Sequence, residues 1–237
     1  MQNSFLTIIP ARGGSKGLKN KNILKFCGKP LIYWTIKLAL KCKFFKNIVV
    51  STDSKKIQKI SKKYGADVPF LRPSNISKDS SSSYLLIKHC INYFKRKKIF
   101  FKYVVLLEPT SPIRLKKDLN NAISNFLKKS KKIDSLVSVG EVFEHPYVIK
   151  KITKGKLEDF IRNSKNYTHR QSLPKLYFPY GVIYISCVDT YLKNKKFSSK
   201  KTGYYCLKNF QNIEIDDKYS FIAAENIFKK LNLHIEK

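Results

Sequence analysis

Residues 8–22 read Ile8-Ile9-Pro10-Ala11-Arg12-Gly13-Gly14-Ser15-Lys16-Gly17-Leu18-Lys19-Asn20-Lys21-Asn22. An apolar run stops at a proline and gives way to a loop rich in glycine and cations. Glycines let successive backbone N–H groups turn toward an anion, Ser15 adds a hydroxyl donor, and Arg12, Lys16 and Lys21 add positive charge. The spacing fits neither G-x-x-x-x-G-K-[ST] nor G-x-G-x-x-G. The segment reads as a phosphate-cradling loop after a first buried strand, which makes the chain a candidate nucleotidyltransferase.

Working outward, residues 5–9, 47–51, 67–71, 103–107 and 135–139 are short apolar runs that read as strands. Helical patterns lie between them, over 31–41, 55–64, 83–97 and 116–129. Such alternation, with strands apolar throughout, predicts an α/β fold whose mostly parallel sheet is covered on both faces. Ligands of these sheets sit beyond the carboxyl ends of the strands. The loops bearing Arg12, Asp53, Arg72 and Arg114 should therefore gather at one edge. From residue 141 to 175 the rhythm breaks, which reads as an excursion from a core of residues 1–140 and 176–237. A strand returns at 181–186, and a last alternating strand at 212–217 runs into a helix over 218–231.

The formal charge of +32 suggests a basic nucleic-acid-binding protein as a rival reading. Its lysines, however, are spread along the whole chain, as an A/T-rich coding bias would spread them, and no recognition module is visible. Only six of the 48 basic residues are arginines. Arg12, Arg72, Arg114 and Arg170 then stand out as positions wanting a planar, bidentate donor. The five cysteines form no C-x-x-C pair and read as free thiols in a reducing cytoplasm. No apolar run is long enough for a membrane span. The four histidines lack metal-ligand spacing, and Trp34 reads as core.

The ordered series Ile9-Pro10-Ala11-Arg12-Gly13-Gly14-Ser15-Lys16-Gly17, Ser51-Thr52-Asp53, Leu71-Arg72-Pro73, Asp79-Ser80-Ser81-Ser82, Pro109-Thr110-Ser111-Pro112-Ile113-Arg114, Arg170-Gln171, Gly181 to Ile185 and Ile215-Asp216 resembles the CMP-sialic acid synthetase (acylneuraminate cytidylyltransferase) family over nearly the whole chain. The resemblance implies a Rossmann-like nucleotidyltransferase fold with a small dimerisation arm at 141–175. It also implies a reaction, in which CTP and a nonulosonic acid give CMP-sugar and pyrophosphate. The anomeric hydroxyl attacks the α-phosphorus, with Mg²⁺ (Mn²⁺ as an alternative) and no protein nucleophile. An enzyme for the eight-carbon acid Kdo, or for another nucleotide–sugar pair, is the alternative within the class.

Carried over residue by residue, Arg12, Lys21 and Asp216 become the catalytic set. CTP falls to Arg12, Gly13, Ser15, Lys16, Lys21, Asn22, Arg72, Asp79 and Ser82. The sugar falls to Glu108, Thr110, Ser111, Arg114, Arg170, Gln171, Tyr180, Tyr184 and Phe197. Asp216 and Glu214 are the expected metal ligands, on one face of the last strand. A homodimer is implied, with Arg170 and Gln171 reaching the partner's site. Three positions depart from the family pattern, with Glu108 where glutamine is usual, Tyr180 where asparagine is usual, and Ser198 in place of a second aromatic. They cluster in the expected sugar pocket and point to a legionaminic- or pseudaminic-type acid.

Overall fold

In a computed structural model, residues 4–15, 17–161 and 173–233 are described. The first strand, β1 (Phe5–Pro10), shows why its sequence is apolar throughout. Phe5 and Ile9 face one cluster with helices α1 (Leu31–Leu40), α2 (Lys55–Lys63) and α4 (Lys116–Lys128). Leu6 and Ile8 face the other, with α3 (Ser83–Arg96) and α5 (Val188–Asn194). A strand buried on both faces cannot alternate with polar residues.

The remaining strands are β2 (Lys25–Phe26) and β3 (Lys29–Pro30), a small hairpin, then β4 (Asn47–Ser51), β5 (Tyr103–Leu106), β6 (Ser135–Glu141), β7 (Lys150–Thr153), β8 (Lys156–Asp159), β9 (Tyr177–Cys187) and β10 (Thr202–Cys206). Five of them join β1 in the central sheet, in the order β10-β6-β9-β5-β1-β4. Every pairing is parallel except those of β9, which runs antiparallel to both neighbours. The α/β fold with a mostly parallel sheet is thus as expected. A third cluster packs α6 (Lys218–Lys230) against the β2–β3 hairpin and α1, with Trp34 in its core donating to the Phe26 carbonyl at 2.8 Å.

Residues 67–71 form no strand. A single parallel bridge joins Asp67 to Val49, and Pro69, two residues on, lacks the N–H needed to continue the ladder. Residues 212–217 also stay outside the sheet. Ile215 is tied by one backbone bond to Thr110 O (2.8 Å) and buries its side chain in the third cluster. The edge strand β10 is a strand the sequence did not suggest. Between β6 and β9 the chain leaves the sheet and forms the separate β7–β8 hairpin.

Candidate active site

The chain leaves β1 at Pro10 and is at once tied to the neighbouring strand end, Ala11 N–H donating to Ser51 O at 3.0 Å. Gly13 N–H donates to the Asp53 carboxylate at 2.8 Å, and Arg72 N–H to Thr52 O at 2.7 Å. The loops after β1 and β4 and the segment at residue 72 are therefore stitched together at the carboxyl ends of the strands. Among Gly13, Gly14 and Gly17 none has a positive φ, so these glycines do not act by left-handed turns. Gly17 acts by close approach, since a Cβ there would lie 2.3 Å from the carbonyl oxygen of Asp216.

This stitching creates a cleft lined by Arg12, Ser15, Lys21, Asn22, Arg72, Asp79, Glu108 and Thr110. The Asn22 amide donates to Arg12 O at 3.2 Å, and Arg72 Nε donates to Ser77 Oγ at 3.0 Å. Burial lowers the Arg72 pKa; nearby Asp53 counters this and nearby Arg12 adds to it. Arg12 forms an ion pair with Asp79. Lys21 Nζ donates to Ile215 O at 2.5 Å and to Asp216 Oδ1 at 3.1 Å. The two principal cations of the cleft thus rest on carboxylates that an anionic ligand would displace. Ser82 is exposed as the N-cap of α3, between Ser81 and Ser83, which line the cleft. Lys16, Arg170 and Gln171 lie outside the described residues.

A second lobe opens beside the first and shares Ser83, Leu106 and Glu108 with it. Its wall carries Tyr184 stacked on Phe197, centroids 5.4 Å apart, with Val137 and Pro179, and Lys195 and Lys196 at its rim. Burial and the charges of Glu108 and Glu214 push the Tyr184 phenol up, which keeps it a hydrogen-bond donor. Sequence reasoning missed Lys195 and Lys196. Their adjacency to Phe197 was the available signal, obscured because lysine occurs everywhere in this chain. Tyr180 is not among the residues lining either lobe. Its carbonyl accepts from Ser138 Oγ at 2.6 Å, and its ring packs on Phe178.

Arg114 is a correction. It is 1% exposed, and its guanidinium donates to Val182 O (2.6 Å), Gly181 O (3.0 Å), Glu108 O (3.0 Å) and Thr35 Oγ1 (3.1 Å). It braces the floor between β5 and β9 instead of meeting a sugar. The planar fork inferred from arginine scarcity is real, but its targets are backbone carbonyls. Ser111 is likewise buried, and its hydroxyl donates to Glu214 at 3.0 Å.

Glu214 Oε1 also accepts from Gly181 N–H at 2.7 Å, so that carboxylate is held firmly. The Asp216 side chain is 82% exposed beside Lys21. No group of three His, Cys, Asp or Glu among the described residues is arranged to hold a metal by itself. Mg²⁺ typically takes one or two carboxylates and draws its remaining ligands from phosphate and water. Open Asp216 fits such a role, and Glu214 offers its second oxygen. Glu108 is pushed up to about 7, first by burial and then by the charges of Glu214 and Asp216, against the opposing pull of Arg114 and Lys21.

A cytidylyltransferase family model matches residues 6–234. An N-acylneuraminate cytidylyltransferase of Streptococcus agalactiae serotype III (strain NEM316) is 36% identical over 220 residues, 92% of this chain and 51% of that protein. The chain therefore spans about half the length of such relatives. It matches others end to end: the CMP-N,N'-diacetyllegionaminic acid synthase of Legionella pneumophila (strain Philadelphia 1) is 33% identical over 229 residues, 95% of this chain and 96% of that one. A solved structure of CMP:2-keto-3-deoxy-manno-octonic acid synthetase complexed with CTP superposes with a TM-score of 0.69 at 14% identity, over 96% of this chain and 99% of that chain, a likeness of fold.

Proposed function

Because the chain belongs to the cytidylyltransferase family, we propose that it activates a sialic-acid-like sugar acid, CTP and the sugar acid giving CMP-sugar and pyrophosphate. One observation carries this reading: a cation-lined cleft runs directly into an aromatic-walled lobe, with Glu108 common to both. The first suits a triphosphate and the second a sugar, and their junction suits the reacting atoms.

Arg12, Lys21 and Arg72 provide the charge that binds CTP, with Ser15 and Asn22 beside them. Arg12 exchanges Asp79 for phosphate. Lys21, held by Ile215 O near the strand ends, stays close to where charge develops on the α-phosphate and departing pyrophosphate. No protein nucleophile is needed, because holding hydroxyl and phosphorus in line supplies most of the acceleration. Asp216, with Glu214 behind it, would hold Mg²⁺ or Mn²⁺, which supplies charge neutralisation to the triphosphate. The sugar faces Tyr184 and Phe197, with Thr110 on the nucleotide side of the junction. Glu108 and Ser198, which line the second lobe, favour a legionaminic- or pseudaminic-type acid over N-acetylneuraminic acid.

The unit of function is a homodimer. The β7–β8 hairpin carries Ile152 at 79% and Leu157 at 73% exposure, with Phe160 beyond it at 63%, an apolar surface suited to a second copy. Consumption of CTP assigns the enzyme to the cytoplasm. No helix of the described residues is long and apolar enough to cross a membrane. Pyrophosphate release, measured over a panel of nucleotides and nonulosonic acids with and without Mg²⁺, tests the reading. We expect release only with CTP, a nonulosonic acid and the metal together. Equal turnover with another nucleotide, or with Kdo alone among the acids, would overturn it.

A further inference from the structure

Three residues are common to the two lobes, namely Ser83, Leu106 and Glu108. A reaction that joins an oxygen of one ligand to the phosphorus of another must place both atoms at that junction. Leu106 has no polar side-chain atom, and Ser83 is a short, exposed side chain on the first turn of α3. Glu108 is different. Its backbone is clamped: its N–H donates to Gly181 O at 3.0 Å, and its carbonyl accepts from Arg114 Nη2 at 3.0 Å and from Ser111 N–H at 3.2 Å. Its side chain lies against the bare backbone of Gly181, where a Cβ would stand 2.4 Å from Oε2. Yet no hydrogen bond to its carboxylate occurs among the described residues. The fold thus fixes the backbone of residue 108, sets the carboxylate against Gly181, and leaves its oxygens open to a ligand at the junction of the lobes.

What the ligand brings there follows from chemistry. Ionised, as it is above about pH 7, the Glu108 carboxylate only accepts hydrogen bonds and repels other anions. Phosphate oxygens and the sugar's own carboxylate are therefore disfavoured beside it. The reacting end of the sugar acid has one hydrogen-bond donor, the hydroxyl that attacks. We propose that the Glu108 carboxylate accepts the hydrogen bond of that hydroxyl and so aligns its oxygen with the α-phosphorus of CTP. In the step, the hydroxyl oxygen bonds to the α-phosphorus while the bond from phosphorus to the bridging oxygen breaks. The electron pair leaves with pyrophosphate, and the hydroxyl proton, held toward Glu108 while the new bond forms, is lost to water afterwards. This rests on the function proposed above and assigns the orienting group within it.

The test compares wild type with Glu108→Gln, which keeps an accepting oxygen, and Glu108→Leu, which does not. Assays use CTP, Mg²⁺ and the best sugar acid of the panel, and CTP binding to each variant is measured by calorimetry. We expect Glu108→Leu to lose about 100-fold in kcat, the scale of a misaligned nucleophile, with the KM for CTP unchanged. Glu108→Gln should keep kcat within about threefold of wild type, because rescue by the amide oxygen needs only an acceptor. Should Glu108→Leu fail to bind CTP, Glu108→Ser, too short to reach the junction, takes its place with the same expectation. Three results would overturn the assignment: a full-rate Leu or Ser variant, a Gln variant as slow as Leu, or a loss confined to the KM of the sugar. A wild-type protein that turns over no CTP with any sugar acid refutes the proposed function instead, so the two failures are distinguishable.

Discussion

Lys21 shows how one side chain serves two partners at different times. Its ammonium rests on Ile215 O and Asp216 in the free chain, and its stem is largely buried. Lys21→Ala removes charge at the reacting centre, and with it the part-buried hydrogen bond to Ile215 O and the ion pair to exposed Asp216, together about 1 kcal/mol of stability. We expect kcat to fall by about 100-fold or more, with the melting temperature lowered by only a few °C. Steady-state rates and a thermal melt on the same sample check this. Glu108 makes the opposite kind of prediction. Folded, it holds its proton up to about pH 7, against an ordinary value of 4.5. Between those values the native chain binds the extra proton. Stability of the ligand-free protein should therefore fall as pH rises through this window. We expect melting temperature to drop by a few °C between pH 5 and pH 7.5, and the Glu108→Gln profile to be flatter. At this scale the sequence was informative about Arg12, Lys21, Asn22 and Arg72, whose short-range motifs carry their geometry with them. It misled at Arg114, because an arginine gripping backbone carbonyls and one gripping a substrate look alike until the packing is known.

Elements are legible where burial is two-sided and local. β1 and β4 could be read directly, because both faces of each strand demand apolar residues. Residues 67–71 and 212–217 have the same strand-like composition but fail as strands. The missing donor of Pro69 ends the first, and docking of Ile215 into the third cluster holds the second outside the sheet. Nothing local announces β10, whose exposed edge residues belong to no apolar pattern. Two substitutions test how elements frame the site. Arg114→Met fills the cavity but takes the donor from Val182 O and from the Thr35 hydroxyl, while Gly181 O and Glu108 O keep the N–H groups of Glu108 and Ser111. At about 1–3 kcal/mol for each of the two unsatisfied groups, we expect a loss of about 2 kcal/mol or more in chemical denaturation. Gly17→Ala should act on function more than on stability. Its Cβ cannot fit 2.3 Å from a backbone oxygen of residue 216, so the loop must pull away from the Asp216 segment. A rise of about tenfold in the KM for CTP is the expected readout.

At the scale of the molecule, the charge of +32 is the least informative number, since both the cleft and the solvated surface are lysine-rich. The exposed apolar side chains of the β7–β8 hairpin say more. Among the described residues this hairpin of two four-residue strands pairs only with itself, and such a hairpin cannot stabilise itself alone in water. Ile152 and Leu157 are cross-strand partners on it, so their side chains form one continuous apolar face. Burial of each against a second copy would contribute about 1.5–3 kcal/mol, which two symmetry-related hairpins would double. Replacing both by aspartate should leave the central sheet intact, because neither side chain touches a core cluster. Light scattering should report a dimer for wild type and a monomer for the double variant. If the partner completes the sugar site through Arg170 and Gln171, that monomer should still bind CTP, through a cleft built wholly within one chain, yet lose turnover with the sugar acid. A monomeric double variant of full activity would exclude a composite site while leaving the nucleotide cleft as described.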